Sequence, residues 1–174
     1  MAVHSIDRLK PGKTKLERLS ERATTQKETV FNNLGHIIDD KLLLQLYQQM
    51  KGKKAVGIDG INKEMYGKQL EDNISDLIKR LRKGTYHPKP ARIVEIPKED
   101  GSKRPLAVSC FGDKLVQSAV SLILTKIYEP LFMPCSFGFR ENLGCHDALR
   151  ALLKLSYPCW NGAVVEIDIC KYFD

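Results

Sequence analysis

Two stretches of sequence, Arg92-Ile93-Val94-Glu95-Ile96-Pro97-Lys98 and Lys103-Arg104-Pro105-Leu106-Ala107-Val108, decide the fold of this chain. Each is rich in apolar and β-branched residues, and the short connection between them contains Gly101, a residue that tolerates the positive φ of a tight turn. The pattern predicts a β-hairpin with strands at residues 91–96 and 104–108. A proline cannot donate a ladder hydrogen bond, so we expect both strands to be short or to lie at an edge.

Around the hairpin, apolar residues recur with helical spacing. This periodicity predicts helices at residues 39–50, 64–83, 113–128 and 147–155. Asp39 or Asp40 is expected to cap the first helix, and Gly84 to close the second. The third is apolar nearly all round, which predicts a buried helix. A weaker helical stripe near the N-terminus consists of Leu16, Leu19, Ala23 and Val30.

Residues 163–169 alternate in polarity and predict one more strand, with Val165, Ile167 and Ile169 on one face and Glu166 and Asp168 on the other. Helices and strands that alternate irregularly favour an α+β fold. A carboxylate among valines and isoleucines is costly to bury without a partner. Asp168 is therefore expected either on an exposed sheet face or in a metal site for two-metal phosphoryl transfer.

Charge points to a polyanionic partner. The 174 residues carry 28 Lys and Arg against 21 Asp and Glu, a net charge of +7. Nine of these cations, opposed by three carboxylates, fall between residues 79 and 104. Such clustering favours phosphate binding, although a solvated basic face would have the same composition.

Other function classes are disfavoured by the composition. No apolar run approaches the length of a membrane span, and the first ten residues lack the apolar core of a secretory signal. The five cysteines lack metal-ligand spacing. We expect them to be reduced thiols in a cytoplasmic protein of bacterial type.

From about Val56 to Asp174 the sequence resembles the N-terminal part of group II intron-encoded reverse transcriptases, also called maturases. Five short motifs in the family's order carry the resemblance: Gly57-Ile58-Asp59-Gly60; Tyr86-His87-Pro88 with the hairpin; Asp113-Lys114-Leu115-Val116-Gln117; Ser136-Phe137-Gly138-Phe139-Arg140 with His146-Asp147-Ala148-Leu149; and Glu166-Ile167-Asp168-Ile169 with Tyr172-Phe173-Asp174. The resemblance implies a basic N-terminal extension at 1–36, reverse-transcriptase fingers at 37–162, and the first palm strand at 163–174.

The resemblance also implies roles for individual residues. Lys98 and Arg104, with Arg92, match cations that contact the incoming nucleotide triphosphate. Asp168 matches the first catalytic carboxylate, which binds Mg²⁺ together with the backbone carbonyl of Ile169. Tyr172 matches the aromatic residue under the nucleotide sugar. The residues expected to contact RNA are Gly57, Gly60, Phe139 and Arg140 by the resemblance, and Lys53, Lys54, Lys79, Arg80, Arg82 and Lys83 by their charge.

By this resemblance the complete protein is an RNA-directed DNA polymerase and maturase. It would bind group II intron RNA and extend a DNA primer on an RNA template with dNTPs and two Mg²⁺ ions. Family members need a further Asp-Asp pair downstream of Asp168, whereas the pair in this chain is Asp39-Asp40, a helix cap. These residues alone are therefore expected not to polymerise DNA, and the apolar edges of a partial palm favour a homodimer.

Two alternatives remain open from the sequence. One is a non-catalytic RNA-binding module, either a natural truncation or a scaffold that helps intron RNA to fold. The other is a reverse transcriptase of a related bacterial element, such as a retron or a diversity-generating element.

Overall fold

A computed structural model of the chain describes residues 14–26, 28–99, 101–159 and 161–170. It divides into two compact units, Met1–Leu131 and Phe132–Asp174. The described part of the first unit contains five α-helices and an antiparallel hairpin. The helices are α1 (Lys15–Thr25), α2 (Asp40–Gln49), α3 (Lys63–Gly67), α4 (Leu70–Arg82) and α5 (Phe111–Tyr128), and the strands are β1 (Arg92–Pro97) and β2 (Lys103–Val108).

The first helices begin where their capping residues predict. Thr14 and Glu17 form a reciprocal capping box at the start of α1. The carboxylate of Asp39 accepts the Leu42 N–H at 3.0 Å and the Lys15 Nζ at 3.0 Å, so Asp39 rather than Asp40 caps α2. Partial burial alone would raise the pKa of Asp39, but these two hydrogen bonds outweigh it and lower the pKa.

The core of the first unit lies where α1, α2 and α4 meet α5. Its sixteen buried residues are Leu19, Ala23, Ile37, Ile38, Leu42, Leu43, Leu46, Ile74, Leu77, Ile78, Phe111, Leu115, Val116, Ala119, Ile123 and Ile127. Leu43 and Leu115 are completely inaccessible to solvent. The N-terminal stripe is confirmed at Leu19 and Ala23, whereas Val30 lies beyond α1 and is exposed.

Helix α5 is not buried on every side. Val120, Leu124 and Tyr128 are exposed, so the expectation of a helix covered all round is wrong for one stripe. These three residues are spaced four apart and therefore share one face of the helix. The opposite face carries the core residues.

The predicted helix at 64–83 is two helices. Gln69 between α3 and α4 has non-helical backbone angles, φ −130° and ψ 48°. A side chain at Gly67 would overlap the Tyr47 hydroxyl, so close packing with α2 selects glycine there. At the far end, Gly84 has φ +68° and its N–H donates to Leu81, while the Thr85 N–H donates to Arg80. This is the predicted glycine closure.

The hairpin is confirmed, and its register explains both prolines. Glu95 lies opposite Pro105, and Pro97 opposite Lys103. The Lys98 N–H donates to the Ser102 carbonyl at 2.8 Å. Because hydrogen-bonded and non-hydrogen-bonded pairs alternate in an antiparallel ladder, both prolines fall in pairs that need no N–H donor.

The second unit contains α6 (Cys145–Ser156). The predicted strand at 163–169 is wrong, since residues 162–169 have no regular secondary structure and are exposed. An isolated strand leaves its N–H and C=O groups unpaired and therefore needs a neighbouring strand, which the described residues do not supply. No helix of the described residues is long and apolar enough to cross a membrane.

Candidate nucleic-acid interface

The register of the hairpin places three predicted nucleotide-binding cations on one face. Arg92 lies opposite Val108, and Arg104 lies opposite Ile96. The hydrogen bond from Lys98 to Ser102 continues the same register past the end of β1. Cross-strand partners and residues two apart share a face, so Lys98 and Arg104 are diagonal neighbours on the Arg92 face. We call this set of three residues the cation face.

The fourth cation of the strands lies on the other face of the hairpin. Lys103 Nζ is 2.7 Å from the Glu95 carboxylate, its diagonal neighbour. By contrast, neither the Lys98 ammonium nor the Arg104 guanidinium has an ion pair within the part of the chain that the structure describes. The two faces of the hairpin therefore differ: on one face Glu95 neutralises Lys103, and on the other Lys98 and Arg104 are exposed.

Arg92 anchors the hairpin to the loop before α3. Its Nε and Nη2 both donate to the Val56 carbonyl, at 3.1 and 2.9 Å. Lys114 on α5 donates to the neighbouring Ala55 carbonyl at 2.5 Å. Arg92 thus fixes the base of the cation face in addition to carrying charge.

The Gly57–Gly60 loop is a tight turn pressed against α5. The Gly60 N–H donates to the Gly57 carbonyl at 3.2 Å, and Gly60 has φ +67°. A Cβ at Gly57 would lie 2.6 Å from Cys110 Cα, closer than two carbon atoms pack. Glycine is therefore required at Gly57 for packing, whatever contact it makes with RNA.

Asp59, in the same turn, connects it to the segment that leads into β1. Its carboxylate accepts the Ile61 N–H at 3.2 Å and the Lys89 Nζ at 3.1 Å. Burial would raise the pKa of Asp59, but the Ile61 and Lys89 hydrogen bonds prevail and lower it.

Asp113 is a structural residue for which sequence reasoning predicted no role. It is 5% exposed, and its carboxylate accepts the Tyr86 hydroxyl at 2.6 Å and the Lys89 N–H at 3.1 Å. Burial, and then the hydrogen bond to Asp113, raises the pKa of Tyr86 above its ordinary range. An acidic residue in the first turn of a helix predicted to be buried was the available signal, because a buried carboxylate requires partners.

The predicted RNA-binding lysines and arginines of the first unit lie on two exposed segments. Lys79, Arg80, Arg82 and Lys83 occupy the last turn and C-cap of α4. Arg80 Nε pairs with Asp76, one turn earlier, at 2.9 Å. Lys53 and Lys54 are exposed in the connection after α2. Cations at a helix C-terminus also stabilise the helix dipole, so part of this charge has a structural role.

In the second unit, Phe139 and Arg140 differ in exposure. Phe139 has φ +57° and is fully exposed. Arg140 Nη1 donates to the Ser136 carbonyl at 2.8 Å and the Met133 carbonyl at 3.3 Å, and its guanidinium lies 5.3 Å from the centre of the Phe132 ring. Arg140 therefore holds its own loop together, and Phe139 is the more accessible of the two.

The predicted metal-binding segment is exposed coil. The Asp168 carboxylate accepts the N–H of the next residue, Ile169, at 2.9 Å, and Ile169 is 65% exposed. Tyr172 lies outside the described residues. Within the described ranges, no three His, Cys, Asp or Glu side chains are grouped so as to hold a metal ion. Among the described residues, Asp168 therefore belongs to no cluster of three side chains that could hold Mg²⁺.

Comparison with known proteins identifies the class. The chain is 36% identical over 170 residues to the group II intron-encoded protein LtrA of Lactococcus lactis. The matched region covers 95% of this chain and 28% of that protein. It is 36% identical over 127 residues to protein YkfC of Escherichia coli, with 71% of this chain and 33% of that protein covered. No family model matches the chain.

A third relative is a putative COX1/OXI3 intron 2 protein of Saccharomyces cerevisiae, 30% identical over 171 residues, or 92% of this chain and 19% of that protein. The chain is thus homologous to group II intron-encoded proteins over nearly its whole length, as the sequence resemblance predicted. It spans about a third or less of the length of the relatives described above.

Proposed function

We propose that this chain is the nucleotide- and RNA-contacting part of an RNA-directed DNA polymerase that also acts as a maturase. Within a complete protein it would bind group II intron RNA and help to extend a DNA primer on an RNA template with dNTPs. Its relationship to group II intron-encoded proteins supports this proposal. So does the concentration of positive charge in the hairpin and α4.

The arrangement of the hairpin carries the argument for nucleotide binding. A transferring phosphoryl group is stabilised mainly by positioning and by neutralisation of its charge. Lys98 and Arg104 share one exposed face, while Arg92 holds the base of that face against Val56. A guanidinium can bind two phosphate oxygens at once, whereas an ammonium acts as a mobile point charge. The two cations suit the oxygens of a triphosphate.

Asp168 enters the proposal as one ligand of a catalytic Mg²⁺ ion. Mg²⁺ is usually held by one or two carboxylates together with water and substrate phosphate oxygens. The carboxylate of Asp168 and the carbonyl of Ile169 supply oxygens of the right type, and further ligands would have to come from outside the described residues. Because the Asp-Asp pair of this chain, Asp39-Asp40, begins α2, we propose that these 174 residues do not polymerise alone.

The test compares Arg104→Ala with Lys103→Ala in a complete protein that carries this chain. We expect Arg104→Ala to reduce kcat/KM for dNTP about 10- to 100-fold, with RNA affinity changed less than about threefold. Lys103→Ala removes an adjacent cation already paired with Glu95, so we expect both quantities to stay within about threefold. Steady-state incorporation and RNA titration at fixed salt measure the two effects.

Two results would change the assignment. Equal losses of incorporation and RNA affinity in Arg104→Ala would make that residue an RNA contact. RNA binding by a complete protein without any nucleotide incorporation would favour the non-catalytic RNA-binding module, an alternative that the basic end of α4 also supports.

A further inference from the structure

A cavity of about 260 Å³ lies in the first unit between α3, α4 and the N-terminal turn of α5. Pockets for drug-sized ligands measure about 300–1,000 Å³, so this one suits a smaller ring system. Two tyrosines, Tyr66 and Tyr86, contribute to its lining. Aromatic rings in such a position provide surfaces on which a planar ligand can stack.

The walls are held in place by contacts that do not depend on a ligand. Tyr86 donates its hydroxyl proton to Asp113 at 2.6 Å. The Tyr66 ring packs against Phe111, with centroids 4.8 Å apart. Burial raises the pKa of Tyr66 to about 12, consistent with a neutral ring in the wall. The cavity is therefore preformed, which reduces the entropic cost of filling it.

Two amide side chains supply the polar lining. Gln69 is the N-cap residue of α4, Asn73 lies one turn later in that helix, and both line the cavity. Asn73 Nδ2 donates to the Tyr66 carbonyl at 2.9 Å. No described residue is hydrogen-bonded to the Asn73 Oδ1 atom or to the side-chain amide of Gln69. Side-chain amides carry both a donor and an acceptor, which is the combination that reads the edge of a nucleobase.

The charges around the cavity favour a neutral ring inside and phosphate outside. Arg80 and Lys89 both line the wall, but each is paired with a carboxylate, Asp76 and Asp59 respectively. With Asp113 the lining has three carboxylates against these two cations, an excess of negative charge that would keep phosphate out of the interior. The exposed cations Lys79, Arg82 and Lys83 lie beside Arg80 at the end of α4. A nucleic acid could insert a base while its backbone stays near these cations.

We propose that this cavity binds a single unpaired nucleobase of an RNA strand, stacked on a tyrosine and hydrogen-bonded by the α4 amides. Proteins that recognise RNA by sequence commonly take up bases splayed out of loops and bulges in this way. The inference rests on the proposed RNA binding and adds a site for a single base.

Gly112 offers a way to fill the cavity without changing any charge. It lines the cavity, and a Cβ there would lie 3.7 Å from Tyr66 Cε2, an ordinary contact. Gly112→Ala should therefore fold normally, whereas the longer side chain of Gly112→Met would occupy the space. Gly35→Met is the matched control, because a Cβ at Gly35 meets nothing within 4 Å.

The experiment uses this chain and two RNA duplexes that share a one-nucleotide bulge. In one the bulged nucleotide carries 2-aminopurine, and in the other it is abasic, so backbone and charge are the same. We expect the base-bearing RNA to bind about tenfold more tightly, with quenching of the 2-aminopurine fluorescence. Gly112→Met should remove both effects, and Gly112→Ala and Gly35→Met should retain them. Adenosine monophosphate, added as competitor, shows whether a free nucleotide also enters.

Equal affinity for the two RNAs, together with an unquenched base, would overturn the cavity proposal while leaving RNA binding intact. Absence of binding to either RNA would overturn the proposed function itself. If Gly112→Met does not give the far-ultraviolet circular dichroism of the parent chain, Gln69→Ala at the exposed edge of the cavity takes its place. A normal preference for the base-bearing RNA in that variant would count against amide recognition.

Discussion

The hairpin at residues 92–108 and the segment at 163–169 have similar sequence patterns but different structures. Both are short runs rich in apolar and β-branched residues, and both predict strands. In the hairpin, five residues separate β1 from its partner β2, and Gly101 in this connection takes φ +80°. The later segment has no partner among the described residues and is exposed coil. Alternation predicts which face a strand would present, but a strand forms only where a ladder partner exists.

The same difference separates the segment for which nucleotide binding is proposed from the segment for which metal binding is proposed. The cation face is organised by short-range pairing and is in place in the structure. Asp168 has the expected residue type, but its backbone lacks the strand that would hold its carboxylate in position. Precise placement of a charge needs rigid support, so the segment around Asp168 would need a partner strand from elsewhere to become a metal site.

Hydrogen exchange should show the largest contrast between the two segments. The alternation of the ladder puts Ile96–Arg104 and Val94–Leu106 in hydrogen-bonded pairs. We expect these amides to exchange on the order of 10- to 100-fold more slowly than those of residues 163–169. Exchange mass spectrometry or NMR on this chain measures the ratio. Equal exchange rates of the two segments in this chain would contradict the described hairpin. Repeating the exchange measurement in a complete protein sharpens the comparison, since a partner strand there would protect residues 163–169.

Paired truncations of one apolar residue in each segment should differ in their cost to stability. Val108 is 6% exposed at the end of β2, and Ile167 is 86% exposed. Val108→Ala should lower the free energy of unfolding by about 1–3 kcal/mol, because it removes buried methyl groups and leaves a gap. Ile167→Ala should change it by less than about 0.5 kcal/mol. Urea unfolding followed by circular dichroism measures both, and similar losses would mean that Ile167 is packed in solution.

The sequence was sufficient where local chemistry determines structure. The Asp39 cap, the Gly84 closure and the Gly101 turn each rest on a single residue's backbone or side-chain preference, and each is confirmed. The break at Gln69 was missed, and the requirement for glycine at Gly67 could not be predicted because it depends on contact with Tyr47, twenty residues earlier. For the same reason, the sequence pattern could not show that Arg92 binds Val56, that Lys103 pairs with Glu95, or that Asp113 holds Tyr86.

The smallest expected effect concerns the ion pair at the base of the hairpin. The pKa of Asp59 is below its ordinary value of 3.8, so its ionised form stabilises the folded state. That contribution is present above about pH 3.8 and is lost as the pH falls through the lower, folded-state pKa. Asp59→Asn keeps the side-chain oxygen for the Ile61 N–H but removes the attraction to Lys89.

We therefore expect Asp59→Asn to destabilise the chain by at most about 1 kcal/mol at pH 7, the usual range for a partly exposed pair. The difference from the parent chain should begin to shrink as the pH falls below 3.8 and should disappear only below the lower, folded-state pKa of Asp59, where both proteins lack the charge. Thermal unfolding at pH 7, 5 and 3 measures this trend. Asp168→Asn, in the exposed segment, is the control and should stay within about 0.5 kcal/mol at pH 7. A deficit in Asp59→Asn that does not decrease between pH 7 and pH 3 would place its cause in the geometry of the substituted amide rather than in the lost charge, and the link between the glycine turn and the hairpin would then not be electrostatic.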